Sequence, residues 1–122
     1  MWQEGFITDP KQRLLQLKET LWRAYRVILD VGLHTKTIKL SQAVNMLMDK
    51  CGLEGPSAEA EVRRYCQTPT QPMSYLIGMN EIKELKETYK KKAGKEFLLK
   101  TFHDELLSKG TIPVSMIQQL MK

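Results

Sequence analysis

Apolar residues that recur at three- and four-residue steps, in segments ended by single glycines or opened by prolines, constrain this 122-residue chain more than any other feature. That spacing is the period of an α-helix, whereas a half-buried strand needs alternation at every second residue. Asp9 followed by Pro10 reads as a helix start, because the Asp oxygen accepts an orphan backbone N–H and proline in the first turn has no donor to lose. Leu14, Leu17, Leu21, Tyr25 and Ile28 then form one stripe, with Leu15, Trp22 and Leu29 as a second. Gly32 is expected to close this helix in the left-handed conformation, so the helix should run from about Pro10 to Val31.

A second helix puts Leu40, Ala43, Val44, Leu47, Met48 and Cys51 on one face and stops at Gly52. Ser57 is expected to cap a short third helix, with Glu59 and Glu61 in its first turn and Val62, Tyr65 and Cys66 facing inward. Pro69 and Pro72 then interrupt the helical pattern. Met73, Leu76, Ile77, Ile82, Leu85 and Tyr89 predict a long helix ended by Gly94. Gly78 inside it costs about 1 kcal/mol relative to alanine, which points to close packing there. Leu98, Phe102 and Leu106 mark a fifth helix stopped by Gly110, and Pro113 opens a sixth carrying Val114, Ile117, Leu120 and Met121. The expected fold is all-α, with six helices in a single compact helical domain over residues 1–122 and no repeat of fixed period.

Hydrophobic residues at 42% and charged residues at 27% give a globular balance, which excludes a chain disordered throughout or a collagen-like repeat. Lys and Arg exceed Asp and Glu by 19 to 14, a net charge of +5. The densest charge, from Glu81 to Lys100, alternates acids with bases and so reads as a solvated helix face. Cys51 and Cys66 are too few for a disulfide framework and lack zinc-knuckle spacing; both are expected to be reduced and buried as small hydrophobes. No window approaches the roughly 18 apolar residues of a transmembrane helix. Asp9, Pro10 and Lys11 interrupt the opening segment before a signal-peptide core could form, so a soluble chain is expected, with the cytoplasm as its default compartment.

Catalytic signatures are missing from the residue pattern. The only histidines, His34 and His103, lie far apart, so no zinc-protease helix and no metal site is expected in this chain. The glycines stand singly rather than in a phosphate cradle, and neither Ser41 nor Ser74 has a neighbouring base. Three polar clusters remain. Arg23, Arg26, Asp30 and His34 stand three and four apart, either as a salt-bridged helix with a capping imidazole or as a site for an anion or polarised carbonyl. Pro69, Gln71, Pro72, Ser74 and Tyr75 present polar groups, including a phenol, on irregular backbone. In the third cluster, Phe102, His103 and Asp104, the imidazole is expected to pair locally with a carboxylate.

The blocks RAYRVILDVGLH at 23–34, EVRRY at 61–65, PTQPMSYLIG at 69–78 and FHDELLSKG at 102–110, with a final IP at 112–113, resemble the carboxy-terminal part of the bacterial family called domain of unknown function 885. The resemblance implies a largely helical, zincin-type metallopeptidase-like protein whose His-Glu motif and Glu-Gly-Trp segment lie upstream of these blocks. The opening MWQEGFITDP looks like the piece that follows the glutamate-bearing helix, so the chain reads as a carboxy-terminal fragment or a stand-alone remnant. By analogy with helical zincins, Arg26, His34 and Tyr75 are the substrate-binding candidates, with Arg23 and Asp30 supporting them. No catalytic residue is expected in this chain, and zinc only in the upstream part. Val31 and Leu76 depart from the family's usual threonine and lysine. The partners this implies are the upstream catalytic portion, a peptide substrate and, for the fragment, further copies of itself through apolar surface left uncovered. The other reading is a stand-alone helical module that binds protein or, through Lys90, Lys91 and Lys92, nucleic acid; the interleaved acids argue against the nucleic-acid version.

Overall fold

The computed structural model describes residues 5–121 and contains six α-helices and no strand among them. They are α1 (Pro10–His34), α2 (Leu40–Cys51), α3 (Gly55–Gln67), α4 (Gln71–Ala93), α5 (Leu99–Ser108) and α6 (Val114–Leu120), with a 3-10 turn at Gly94–Glu96. The all-α expectation holds. Among the described residues no helix is long and apolar enough to cross a membrane.

Packing is organised around two cores, one within Met1–Leu76 and one within Ile77–Lys122. In the first, Leu29 of α1, Ala43, Leu47 and Cys51 of α2, and Ala58, Val62 and Tyr65 of α3 are buried together, with Trp22, Leu33 and Ile38 packed against them. In the second, Leu85, Phe102, Ile117 and Met121 form the centre and Tyr89, Phe97 and Leu106 its edge. Tyr89 meets Phe97 edge-on at 6.3 Å and donates its hydroxyl to Glu105 at 3.0 Å, so the phenol is anchored at both ends.

The start of α1 is as expected: Asp9 accepts from the Lys11 N–H at 2.9 Å, with Pro10 as the first helical residue. Its end is not, because the helix runs through Gly32 to His34. Gly32 is buried, and a Cβ built there would lie 2.3 Å from Ile38 Cδ1. Its carbonyl accepts from the N–H groups of both Thr37 and Ile38, which brings the returning chain across the glycine. The residue serves close approach, and the left-handed turn falls instead to Lys36, at φ 60°.

Other local expectations divide in the same way. Gly52, Gly94 and Gly110 do take left-handed φ at helix ends. Helix α3 starts two residues before Ser57, with Glu54 as cap and Pro56 in the first turn, where proline has no donor to lose. Gly78 has no atom within 4 Å of where a Cβ would stand, so close packing does not explain it. Cys66 is exposed rather than buried, because it falls at the rim of the face defined by Ala58, Val62 and Tyr65.

Helix α1 is apolar on two faces, and only one is covered. Trp22 and Leu29 turn inward, as does Tyr25 of the other stripe, whereas Leu15, at 61%, and Leu14, Leu17, Leu21, Ile28 and Val31, from 45% at Leu21 to 68% at Leu14, remain exposed. With Ala24, Leu14, Leu17, Leu21, Ile28 and Val31 keep the alternating three- and four-residue spacing of a helix-to-helix seam over almost three heptads.

Candidate functional site

The sequence candidates separate into two subsites along α1. Arg26 and His34 are eight residues apart, about 12 Å of helix rise, and so do not converge on one atom.

At the first subsite the Arg26 guanidinium lies 4.9 Å from the Tyr75 ring centroid, 5.6 Å from Tyr65 and 6.0 Å from Trp22. Three ring faces therefore hold one cation. Arg23, Arg63 and Arg64 each pair with a glutamate one turn away, but among the described residues no carboxylate lies within ion-pairing distance of Arg26. Its Nε is buried with no hydrogen-bond partner. The Asp30 side chain, one turn along, turns away from Arg26 toward His34.

Tyr75 is placed by a relay from α3. Arg64 grips Glu61 through Nε and Nη2 at 3.3 and 2.8 Å and donates through Nη1 to Gln71 at 3.0 Å; Gln71 in turn donates to the Tyr75 hydroxyl at 3.4 Å. Half of Tyr75 is exposed, and among the described residues no acceptor takes its hydroxyl proton. Burial pulls the Glu61 carboxyl up, yet hydrogen bonds from Arg64 and Tyr65 and the charges of Arg64 and Arg26 outweigh it and hold the group below its ordinary value.

Tyr65 is the hub beneath this arrangement: wholly buried, with its hydroxyl accepting from Trp22 Nε1 at 3.1 Å. Burial, reinforced by the hydrogen bond to Glu61, pushes its phenol up to about 12. The folded state thus holds this proton more tightly than the unfolded chain does. The corresponding stability is intact below about pH 10 and is lost as pH rises toward about 12, a change of about 2–3 kcal/mol. Alkaline absorbance titration should show one of the four tyrosines ionising last, near pH 12, and Tyr65→Phe should remove that step; its persistence in the variant would refute the assignment.

The second subsite is Asp30 with His34. Asp30 is 1% exposed, and neither carboxylate oxygen receives a hydrogen bond of good geometry. The imidazole Nδ1 lies 3.0 Å from Asp30 Oδ1 and 2.8 Å from the Asp30 carbonyl oxygen. Both are acceptors, so the proton of a neutral imidazole belongs on Nδ1 and leaves Nε2 as a free acceptor. The His34 side chain is 32% exposed and lines an open cleft of about 670 Å³ with Leu33, Lys36, Ile38, Lys39 and Cys66.

Arg23 is not part of either subsite; it pairs with Glu19 at 2.9 Å on the surface. Nor does His103 pair with its neighbour, since Asp104 is taken by Lys100 and the imidazole lies against the Phe102 ring at 5.4 Å. Lys90, Lys91 and Lys92 occupy the last turn of α4, where the helix dipole favours cations, and Lys90 lies 5.9 Å from the Phe97 ring centroid. Among the described residues no three His, Cys, Asp or Glu side chains converge as a metal site. Trp22 and Tyr65 carried no functional signal in sequence, because their helical spacing marks them only as core.

Comparison with known proteins assigns the lineage. Among curated proteins none matches this chain. A solved structure of a candidate lipoprotein of unknown function from Shewanella oneidensis shares 37% identity and a TM-score of 0.86 over 93% of this chain. The match covers 21% of that protein, so the present chain spans about a fifth of its length. The family described as bacterial protein of unknown function (DUF885) matches residues 1–121. That match spans nearly the whole chain, which belongs to the DUF885 family.

Proposed function

We propose that this chain is the non-catalytic, carboxy-terminal helical part of a longer zinc-metallopeptidase-like protein, to which it contributes substrate-facing side chains. Arg26 carries the reading: an arginine held by three aromatic faces, with no carboxylate partner among the described residues, keeps its outer N–H donors available to an anion or a polarised carbonyl oxygen. Tyr75 adds a phenolic donor 4.9 Å away, measured from ring centroid to guanidinium. Fixed donors of this kind act where negative charge develops on a substrate oxygen, and they need no reorganisation at that moment. His34, its ring fixed by Asp30, offers Nε2 to a more distant part of the same ligand. The metal in this reading belongs to the remainder of the longer protein.

The exposed seam on α1 is the surface this reading assigns to that remainder. It suits a helix, and the four-fifths of the Shewanella protein that lie outside the match provide chain enough to supply one. Peptide hydrolysis by a full-length protein carrying this segment tests the proposal. Arg26→Ala should lower kcat/KM about 100-fold and Tyr75→Phe about 10-fold, with helix content unchanged. Unaltered kinetics in both variants would overturn the assignment, as would stoichiometric zinc and chelator-sensitive hydrolysis in the 122-residue chain alone.

A further inference from the structure

We propose that the open cleft between the end of α1 and the start of α2 binds the free carboxylate of a peptide whose last side chain is apolar. The inference deepens the peptide reading above and rests on it. Leu33 and Ile38 give the cleft an apolar wall, and His34, Lys36 and Lys39 line it with nitrogen. Among the described residues no carboxylate lines it and neither lysine has an ion-pair partner. At about 670 Å³ the cleft is within the size range of small-ligand sites.

The chemistry of the lining selects the ligand. A small inorganic anion would use the two ammonium groups and leave the apolar wall wet. A neutral apolar ligand would use the wall and leave the ammonium groups idle. A carboxylate that shares its α-carbon with an apolar side chain engages both at once. His34 adds orientation, because Nδ1 is tied to Asp30 and the Nε2 lone pair is left to accept the last amide N–H of the peptide while the carboxylate goes to the ammonium groups.

Cys66 supplies the readout. It lines the cleft and is exposed, whereas Cys51 is buried, so alkylation of the folded chain reports on this one place. The experiment measures the N-ethylmaleimide reaction rate of Cys66 in the presence of N-acetyl-alanyl-leucine or its carboxy-terminal amide. At ten times its Kd the free acid should slow the reaction about tenfold, and the amide should not. The double variant Lys36→Gln, Lys39→Gln should lose the protection, measured against its own unliganded alkylation rate, while keeping its helical circular dichroism. Equal protection by acid and amide, or none up to the solubility limit, overturns the inference. The two proposals fail separately. Hydrolysis by the full-length protein that ignores amidation of the substrate's end sinks the cleft and spares the peptidase reading; protection by the free acid without any hydrolysis does the reverse.

Discussion

Replacing Leu14, Leu21 and Ile28 by glutamate is expected to turn a self-associating chain into a monomer at unchanged helix content. The three positions are seven residues apart on the uncovered face of α1 and are 68%, 45% and 50% exposed, so charge there does not invade the core. With Leu17, Ala24 and Val31 they form a seam, and each large apolar side chain buried against a partner contributes about 1.5–3 kcal/mol at most. Half of that is already realised where a side chain is half-covered. Four or five such residues are still enough for association at micromolar to millimolar concentration. A seam lined by three carboxylates on each copy would repel itself. Light scattering should give more than one chain per particle for the native sequence and one for the triple variant. A native chain that stays monomeric at high concentration contradicts the prediction and removes the support that the seam lends to a larger assembly.

The largest effect on stability is expected at Tyr65. Its ring is wholly buried between α1 and α3, it accepts the Trp22 indole N–H, and it supports Arg26 at 5.6 Å and Arg64 at 5.1 Å. Tyr65→Ala removes the ring from the interior and leaves the indole without its acceptor, a loss of about 3–5 kcal/mol. An ordinary domain has only about 5–15 kcal/mol in hand, so this variant should be close to unfolding at room temperature. Tyr65→Phe keeps the ring and forfeits the hydroxyl contacts, at about 1–2 kcal/mol. Urea denaturation followed by circular dichroism should rank the midpoints native, Phe, Ala. A midpoint for the alanine variant equal to that of the phenylalanine variant would mean that the ring itself is not a keystone.

Most of the helical outline was legible without coordinates. The Asp9-Pro10 start, the stop at Gly52 and the left-handed glycines at 94 and 110 are local devices, set by a capping oxygen or by a backbone angle that only glycine adopts cheaply. Gly32 shows the limit of that reasoning. A glycine after a run of apolar residues looks like a stop, but here the chain returns across it, and the demand for space comes from Ile38, six residues later. Cys66 and Gly78 show the same limit, because burial belongs to neighbours and not to spacing.

The candidate residues follow the same division. Arg23, Arg26, Asp30 and His34 share one helix and spacings that permit contact, so their cluster was visible. The spacing could not say which pairs form. Asp30 was free to face Arg26 one turn before it or His34 one turn after, and the tertiary packing chose His34. Arg23 was drawn to Glu19 on the surface, and Arg26 to rings from α3 and α4 that no local pattern connects to it.

Periodicity and caps are properties of a few consecutive residues, so the chain's own order was enough to specify six helices, an all-α class and two apolar stripes on α1. Which stripe is covered, which arginine lacks a carboxylate and which cysteine meets solvent depend on residues tens of positions apart being brought together. Burial and long-range pairing exist only once the helices have packed, and that is why the folded chain alone decided them.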